Sequence, residues 1–219
     1  MANQIATVNG IAIASIANIN GITDANLQAL NGLEFTGTLP DAHTLIATAT
    51  ASASATLSFT TGIDSTYDAY EFRFTNIHPS DNGNYFKFQV NAVGQTGFNE
   101  VITSTHFRAV HNDSNSVEVL EYEAGADQAQ GTAYQTLDTG VGNDNDQSIS
   151  GVLTLYAPSS TTYVKHFTSR VSSHYTVYSR DSYAAGYINT TAAIDEISFA
   201  MSSNNIDAGV IKMYGIAKA

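Results

Sequence analysis

Apolar and polar side chains alternate along the chain in short runs from about residue 43 onward. Clusters of Gly, Asn, Asp and Ser separate the runs, for example at Asp81-Asn82-Gly83-Asn84. The alternating apolar positions include Tyr70, Phe72, Phe74, Phe86, Phe88, Val90, Leu153, Leu155, Ile197, Phe199 and Met201. A period of two, bounded by turn-forming residues, is typical of half-buried antiparallel strands.

Roughly ten to twelve such strands fit between residues 43 and 219, and no long helical periodicity interrupts them. The pattern predicts an all-β fold, an antiparallel β-sandwich of jelly-roll type. Residues 124–148 are rich in polar residues and carry little alternation. We expect this segment to be a loop on the surface.

The first 36 residues follow a different pattern, in which an apolar residue, Asn, Gly and another apolar residue occur three times at an interval of eleven residues. Asn and Gly both tolerate a positive φ, so each pair indicates a turn. The predicted turn residues are Asn9, Gly10, Asn20, Gly21, Asn31 and Gly32. Regularly spaced Gly disfavours one continuous helix. We expect a turn followed by a short strand or a helical turn in each copy.

A repeat this short cannot bury its own apolar side chains and needs stacked neighbours or partner chains. Three chains wrapped together would bury the rows formed by Val8, Ile11, Ile19, Ile22, Leu30 and Leu33. The pattern therefore predicts an anchor or oligomerisation module over residues 1–36, a linker over 37–42 and a β-sandwich domain over 43–219. The alternative is a flexible tail whose repeats are similar by chance.

Charge and composition exclude several functional classes. The chain has 219 residues, a net charge of −12 and only eight Lys and Arg residues, the first of which is Arg73. A phosphate-binding surface needs clustered basic residues, so nucleic acid and anionic membrane surfaces are disfavoured as partners. Cysteine is absent, which excludes disulfides and thiolate metal sites. No signal peptide or membrane-spanning stretch is evident, so we expect synthesis in a cytoplasm and no membrane insertion.

Several side chains could carry chemistry. A polysaccharide depolymerase would need two carboxylates at a fixed separation, and acidic residues cluster in two places: Asp64, Asp68 and Glu71, then Glu118, Glu121 and Glu123. Spacing along strands does not fix their separation in space. Asp144 and Asp146 could bind calcium, but the loop lacks the Gly and distal Glu of an EF-hand and is interpreted as a polar turn.

The six histidines form no helical metal-binding pair. His166 and His174 lie in strand-like runs and could be close together, although ordinary strand histidines are the simpler interpretation. Hydrolase elbows, phosphate-binding loops and dinucleotide fingerprints are absent from the sequence. The sequence therefore predicts no catalytic residue, no metal site and no cofactor.

Tyrosine is abundant, with twelve copies and no tryptophan. Five tyrosines occur within residues 163–187: Tyr163, Tyr175, Tyr178, Tyr183 and Tyr187. They could form a protein interface or stack on sugar rings, because tyrosine combines a large apolar ring with a polar hydroxyl. Tyrosine is also common in ordinary strands.

These residues support a resemblance to a protein family. The Asn-Gly repeats followed by a β domain resemble virion structural proteins of tailed bacteriophages, especially of marine and cyanobacterial phages. Three short segments are similar to motifs in such proteins: 74–79 (FTNIHP), 105–112 (THFRAVHN) and 206–215 (IDAGVIKMYG).

The resemblance implies a non-enzymatic fibre or decoration protein. Such proteins are commonly homotrimers, attached to other capsid or tail proteins through the N-terminus, and the expected location is the virion, assembled in the host cytoplasm. A host-receptor module that binds surface glycan is an alternative, and a polysaccharide depolymerase is a second one. The chain is short for a complete receptor-binding tail fibre and has no extended shaft.

Overall fold

The computed structural model describes residues 43–216 and, closer to the N-terminus, six strands of two residues each. Contacts within the chain divide it into two compact units, Met1–Ala42 and His43–Ala219. The boundary between the units falls where the predicted β domain begins. The predicted linker, residues 37–42, lies outside the described residues.

The described parts of the first unit are three two-stranded antiparallel pairs, one for each sequence repeat. In each pair the two apolar residues that flank Asn-Gly face each other across the strands: Val8 pairs with Ile11, Ile19 with Ile22, and Leu30 with Leu33. The strands are β1 (Thr7–Val8), β2 (Ile11–Ala12), β3 (Asn18–Ile19), β4 (Ile22–Thr23), β5 (Ala29–Leu30) and β6 (Leu33–Glu34). The six predicted turn residues lie outside the described residues.

The second unit is an antiparallel β-sandwich of twelve strands, and its described residues contain no helix. The strands are β7 (His43–Thr50), β8 (Leu57–Phe59), β9 (Ala69–Pro79), β10 (Asn84–Ala92), β11 (Ile102–Asn112), β12 (Glu118–Tyr122), β13 (Gln135–Val141), β14 (Ile149–Tyr156), β15 (Lys165–Tyr175), β16 (Tyr178–Ile188), β17 (Ile194–Met201) and β18 (Ile206–Ile216). Nowhere in the described ranges is there a helix long and apolar enough to cross a bilayer.

The strands form one sheet of eight and one sheet of four. The large sheet has the order β12-β11-β16-β15-β14-β9-β18-β7, and the small sheet has the order β13-β10-β17-β8. Three pairings are nested along the chain: β9 with β18, β10 with β17, and β11 with β16. A long hairpin folded over two sheets in this way is the arrangement of a jelly roll. The hairpin β14-β15 is inserted between β9 and β16 in the large sheet.

Aromatic side chains from both sheets form the core between them. Phe199 of β17 lies at its centre, fully buried, with five other phenylalanine rings around it. The predicted inward positions on β9, β10, β14 and β17 are all buried. The predicted fold class, an all-β antiparallel sandwich, is therefore confirmed. The period of two predicted it because alternate side chains of a strand point to the same face, here the core.

One prediction about this domain is wrong. Residues 124–148, expected to be a surface loop, contain strand β13, and every residue of that strand is buried. The strand escaped prediction because its side chains are largely polar. Gln135 donates to the Ala126 carbonyl at 2.9 Å and accepts from the Ser104 hydroxyl at 2.6 Å, so distant parts of the chain satisfy the buried amide.

Candidate functional site

The outer face of the eight-stranded sheet carries a row of large side chains at one level of the register. The row crosses seven strands through Tyr122, Phe107, Tyr183, Arg170, Val152, Arg73 and Lys212. Directly opposed residues of neighbouring strands lie about 4.5–5.5 Å apart at Cβ, so adjacent members of such a row interact. The row places three aromatic rings and three cationic groups along one face of the large sheet, on the side away from the core.

The aromatic end of the row is ordered by stacking. The rings of Phe107 and Tyr183 are parallel within 4°, with centroids 4.8 Å apart. The Arg170 guanidinium lies 5.1 Å from the centroid of Tyr183, a cation–π distance. Phe107 remains 42% exposed and Tyr122 56% exposed. Next to them on β12, Leu120 is 75% exposed, so this end of the face is apolar and open to solvent.

Acidic neighbours balance the cations of the row. Asp181 accepts two hydrogen bonds from Arg170, at 3.0 and 2.7 Å, and these bonds lower the pKa of the Asp181 carboxyl. Glu71 accepts from Arg73 at 3.1 and 2.8 Å. The face is therefore close to neutral around the row, in a chain whose net charge is −12.

A shallow depression of about 380 Å³ lies beside the row, at the level where β12 has ended. Its floor is Ala185 of β16, and the register places Thr105 on one side and Thr168 on the other. Two residues further along β16, Tyr187 lies between Thr103 and His166, and its ring is 6.3 Å from the imidazole ring. The lining is thus a small apolar floor with aromatic and hydroxyl-bearing walls.

The five predicted tyrosines do not form one surface. Tyr183 and Tyr187 share the outer face of the large sheet. Tyr175 and Tyr178 instead flank the turn between β15 and β16, with the Arg180 guanidinium 4.7 and 6.0 Å from their ring centroids. Tyr163, which is 73% exposed, lies in the loop before β15. Tyrosines that are close in sequence do not share a surface here, because they lie on the outer face of the β15-β16 hairpin, at its turn or in the loop before it.

A buried polar cluster lies between the two sheets. The Asp138 carboxyl of β13 is fully buried and accepts from the Ser173 and Ser182 hydroxyls at 2.9 and 3.1 Å and from the Gly140 amide at 2.9 Å. Burial raises the pKa of Asp138. His106, also fully buried, has its pKa lowered by burial. Neither group contacts solvent, and both hold β13 against the large sheet.

The acidic clusters proposed for catalysis are engaged in contacts. Arg108 contacts Glu121 at 2.8 Å and Glu123 at 2.9 Å. Glu71 pairs with Arg73, and the Asp64 carboxylate accepts from the Thr66 amide at 2.7 Å. Glu71, Glu121, Glu123 and Asp64 therefore all have partners within the domain.

The candidate metal ligands are also dispersed. His166 and His174 lie eight residues apart on β15, so about 27 Å separates them along the strand and they are not close together. Asp144 accepts from the Gln147 amide at 3.1 Å. Within the described part of the chain, no three His, Asp or Glu side chains are grouped to hold a metal ion.

The predicted anchor residues Val8, Ile11, Ile19, Ile22, Leu30 and Leu33 lie in the short N-terminal strands, where only the backbone pairing is described. Their burial in an assembly stays a prediction. Comparison of the chain with protein-family models, with curated proteins and with solved structures found no match.

Proposed function

We propose that this chain is a non-enzymatic structural protein of a bacteriophage virion. In this proposal it is a homotrimeric fibre or decoration protein. Its N-terminal repeats attach it to other capsid or tail proteins, and its β-sandwich faces outward. It would be assembled in the host cytoplasm and reside in the virion.

The observation that carries the proposal is the pairing of the repeats. Each copy places two apolar residues opposite each other in strands of only two residues. A single two-stranded hairpin is at best marginally stable in water, and stability requires more strands or packing against another element. Three such pairs in series therefore favour assembly with one another and with sister chains. The resemblance of the repeats to those of phage virion proteins supports the same function.

The β-sandwich supplies the second part of the proposal. Its core lies within residues 51–213, so the domain has its own hydrophobic centre and we expect it to fold as a separate unit. The outer face of its large sheet is near neutral and rich in exposed aromatic side chains. Such a surface suits contact with a partner molecule more than free solvation.

The test is the molecular mass of the purified protein by light scattering. We expect a trimer for the full chain and a monomer for residues 43–219. Replacing Ile11, Ile22 and Leu33 together by Asp should convert the full chain to a monomer, because charged side chains would enter the apolar rows.

A control variant with Thr7 and Asn18 changed to Asp adds negative charge at polar strand positions that are not paired with each other. This variant should remain trimeric. A full chain that is monomeric, or an apolar-row variant that remains trimeric, would contradict the anchoring role. The virion assignment itself predicts that the wild-type chain co-purifies with phage particles on a density gradient and that the apolar-row variant does not.

A further inference from the structure

The outer face of the large sheet contains a site that the proposed function does not require. The register arranges nine outward-facing residues of β11, β16 and β15 in a three-by-three grid. Along β16 the grid reads Tyr183, Ala185, Tyr187, with a small side chain between two large ones. The two tyrosines are four residues apart, or about 13–14 Å along the strand. The gap above Ala185 is the depression of about 380 Å³.

Next to the depression, one register level away on the same face, lie side chains that hold each other in place. Tyr183 is enclosed by Phe107 on one side and by the Arg170 guanidinium on the other, at 4.8 and 5.1 Å. Arg170 is fixed in turn by its two hydrogen bonds to Asp181. These side chains form an ordered boundary next to the depression, which a ligand would meet without first ordering it.

The opposite side offers an aromatic ring and polar groups. Tyr187 stands beside His166, and the Thr168 hydroxyl lies 3.1 Å from the Tyr156 hydroxyl. Thr105 adds another hydroxyl at the level of the floor. An aromatic ring with hydroxyl and imidazole groups around an apolar floor complements a molecule that has both C–H faces and many hydroxyls.

The charges around the depression favour a neutral ligand over a charged one. No acidic or lysine side chain lines the depression, and the nearest guanidinium, Arg170, is neutralised by Asp181. The chain as a whole carries −12, so its long-range field repels anions. A neutral ligand meets neither repulsion nor an unpaired charge at this site.

We infer that the depression above Ala185 binds a short neutral oligosaccharide, whose ring packs on Tyr187 and whose hydroxyls bond to Thr105, Thr168 and His166. The site is independent of the N-terminal repeats, so the inference does not rest on the proposed trimer. Light scattering tests the proposed trimer, and NMR with sugars tests the depression. Failure of one proposal is therefore distinguishable from failure of the other.

The experiment is saturation-transfer NMR on the full chain with maltose, cellobiose, lactose, mannobiose and diacetylchitobiose at millimolar concentration. Digalacturonic acid serves as the anionic comparison. We expect saturation transfer to at least one neutral sugar and a weaker response from the anionic one. Tyr187→Ala should weaken binding about tenfold, because it removes the stacking ring. Ala185→Trp should abolish binding by filling the gap, and tryptophan is well tolerated on an exposed strand face.

Two matched variants control for general effects. Thr48→Trp introduces the same side chain on the same face at the distant strand β7, and Tyr163→Ala removes an exposed tyrosine outside the depression. Both should bind sugar as the wild type does. The inference is overturned if no neutral sugar binds, if only the acidic sugar binds, or if binding survives both Ala185→Trp and Tyr187→Ala.

Discussion

Replacement of Phe199 by Ala tests the central feature of the sandwich, the aromatic cluster that joins its two sheets. Phe199 is fully buried, and its ring centroid lies 5.3–6.5 Å from five others. The five rings belong to Phe59, Phe72, Phe74, Phe86 and Phe88. Two of them, Phe72 and Phe74, come from the opposite sheet, so the substitution weakens contact between sheets as well as within one.

The magnitude follows from this environment. Truncation of a buried Phe to Ala costs about 3–5 kcal/mol in transfer and cavity terms. Each aromatic pair adds about 0.5–1.5 kcal/mol beyond area, although pairs that share one ring are not additive. We therefore expect a loss near the upper end, about 4–5 kcal/mol. This is a large fraction of the roughly 5–15 kcal/mol that stabilises a typical domain.

The matched control is Phe107→Ala on the outer face. Phe107 is 42% exposed and stacks on a single ring, that of Tyr183. Its truncation leaves no closed cavity, so we expect a loss of about 1–2 kcal/mol.

The assay is urea unfolding of the full chain at one fixed protein concentration, followed by far-ultraviolet circular dichroism. Tyrosine fluorescence is a second probe, because the chain has twelve tyrosines and no tryptophan. A loss below about 2 kcal/mol for Phe199→Ala, or one equal to that of Phe107→Ala, would refute the central role of this ring.

Two further predictions concern buried positions. Burial lowers the pKa of His106 below its ordinary value of 6.5. As the pH falls, the unfolded chain therefore takes up the proton before the folded chain does, so the free energy of unfolding should fall between about pH 7 and pH 5. His106→Gln lacks this titration and should lose less stability over that range. The raised pKa of Asp138 has the opposite effect, but Asp138 is present in both proteins. Urea midpoints that change with pH in parallel in the two proteins would contradict the reasoning. Gly186→Ala would place a Cβ 2.4 Å from the Thr103 carbonyl oxygen, so we expect a loss above about 2 kcal/mol. The control Gly125→Ala meets only a side-chain oxygen at 3.8 Å and should change the melting temperature little; equal melting temperatures for the two variants would refute the prediction.

The sandwich was predictable from sequence because its strands bury one face. Alternation at Phe86, Phe88 and Val90 shows this directly, and the structure buries all three. Strand β13 was not predictable, since its burial depends on partners such as Ser173, thirty-five residues from Asp138. Its sequence, Gln-Thr-Leu-Asp-Thr-Gly-Val, is mainly polar and small, and local pattern alone assigns it to a loop.

The candidate site was predictable only in part. Tyr183 and Tyr187 were singled out from the sequence; Tyr187 lines the depression, and Tyr183 lies next to it on the same strand face. Thr105, Thr168 and Ala185 were not, because an ordinary threonine or alanine acquires meaning only when the strand register is known. Sequence offers no signal for which residues of β11 and β15 oppose a given residue of β16.

The nested order of the strands has a consequence for how the chain acquires its structure. Strand β18 lies between β7 and β9, yet it comes last in the chain among the described strands. Contacts of such large sequence separation are slow to form. The repeats, in contrast, pair residues only three positions apart, as Val8 with Ile11.

During synthesis we therefore expect the repeats to emerge and pair while the place of β18 is still empty. Sister chains joined at that stage would hold unfinished sandwiches at high local concentration, with the edges of β7 and β9 still unpaired. If the proposed trimer forms at that stage, exchange of β18 between copies would compete with correct closure, and the yield of native protein would depend on the order of these two events.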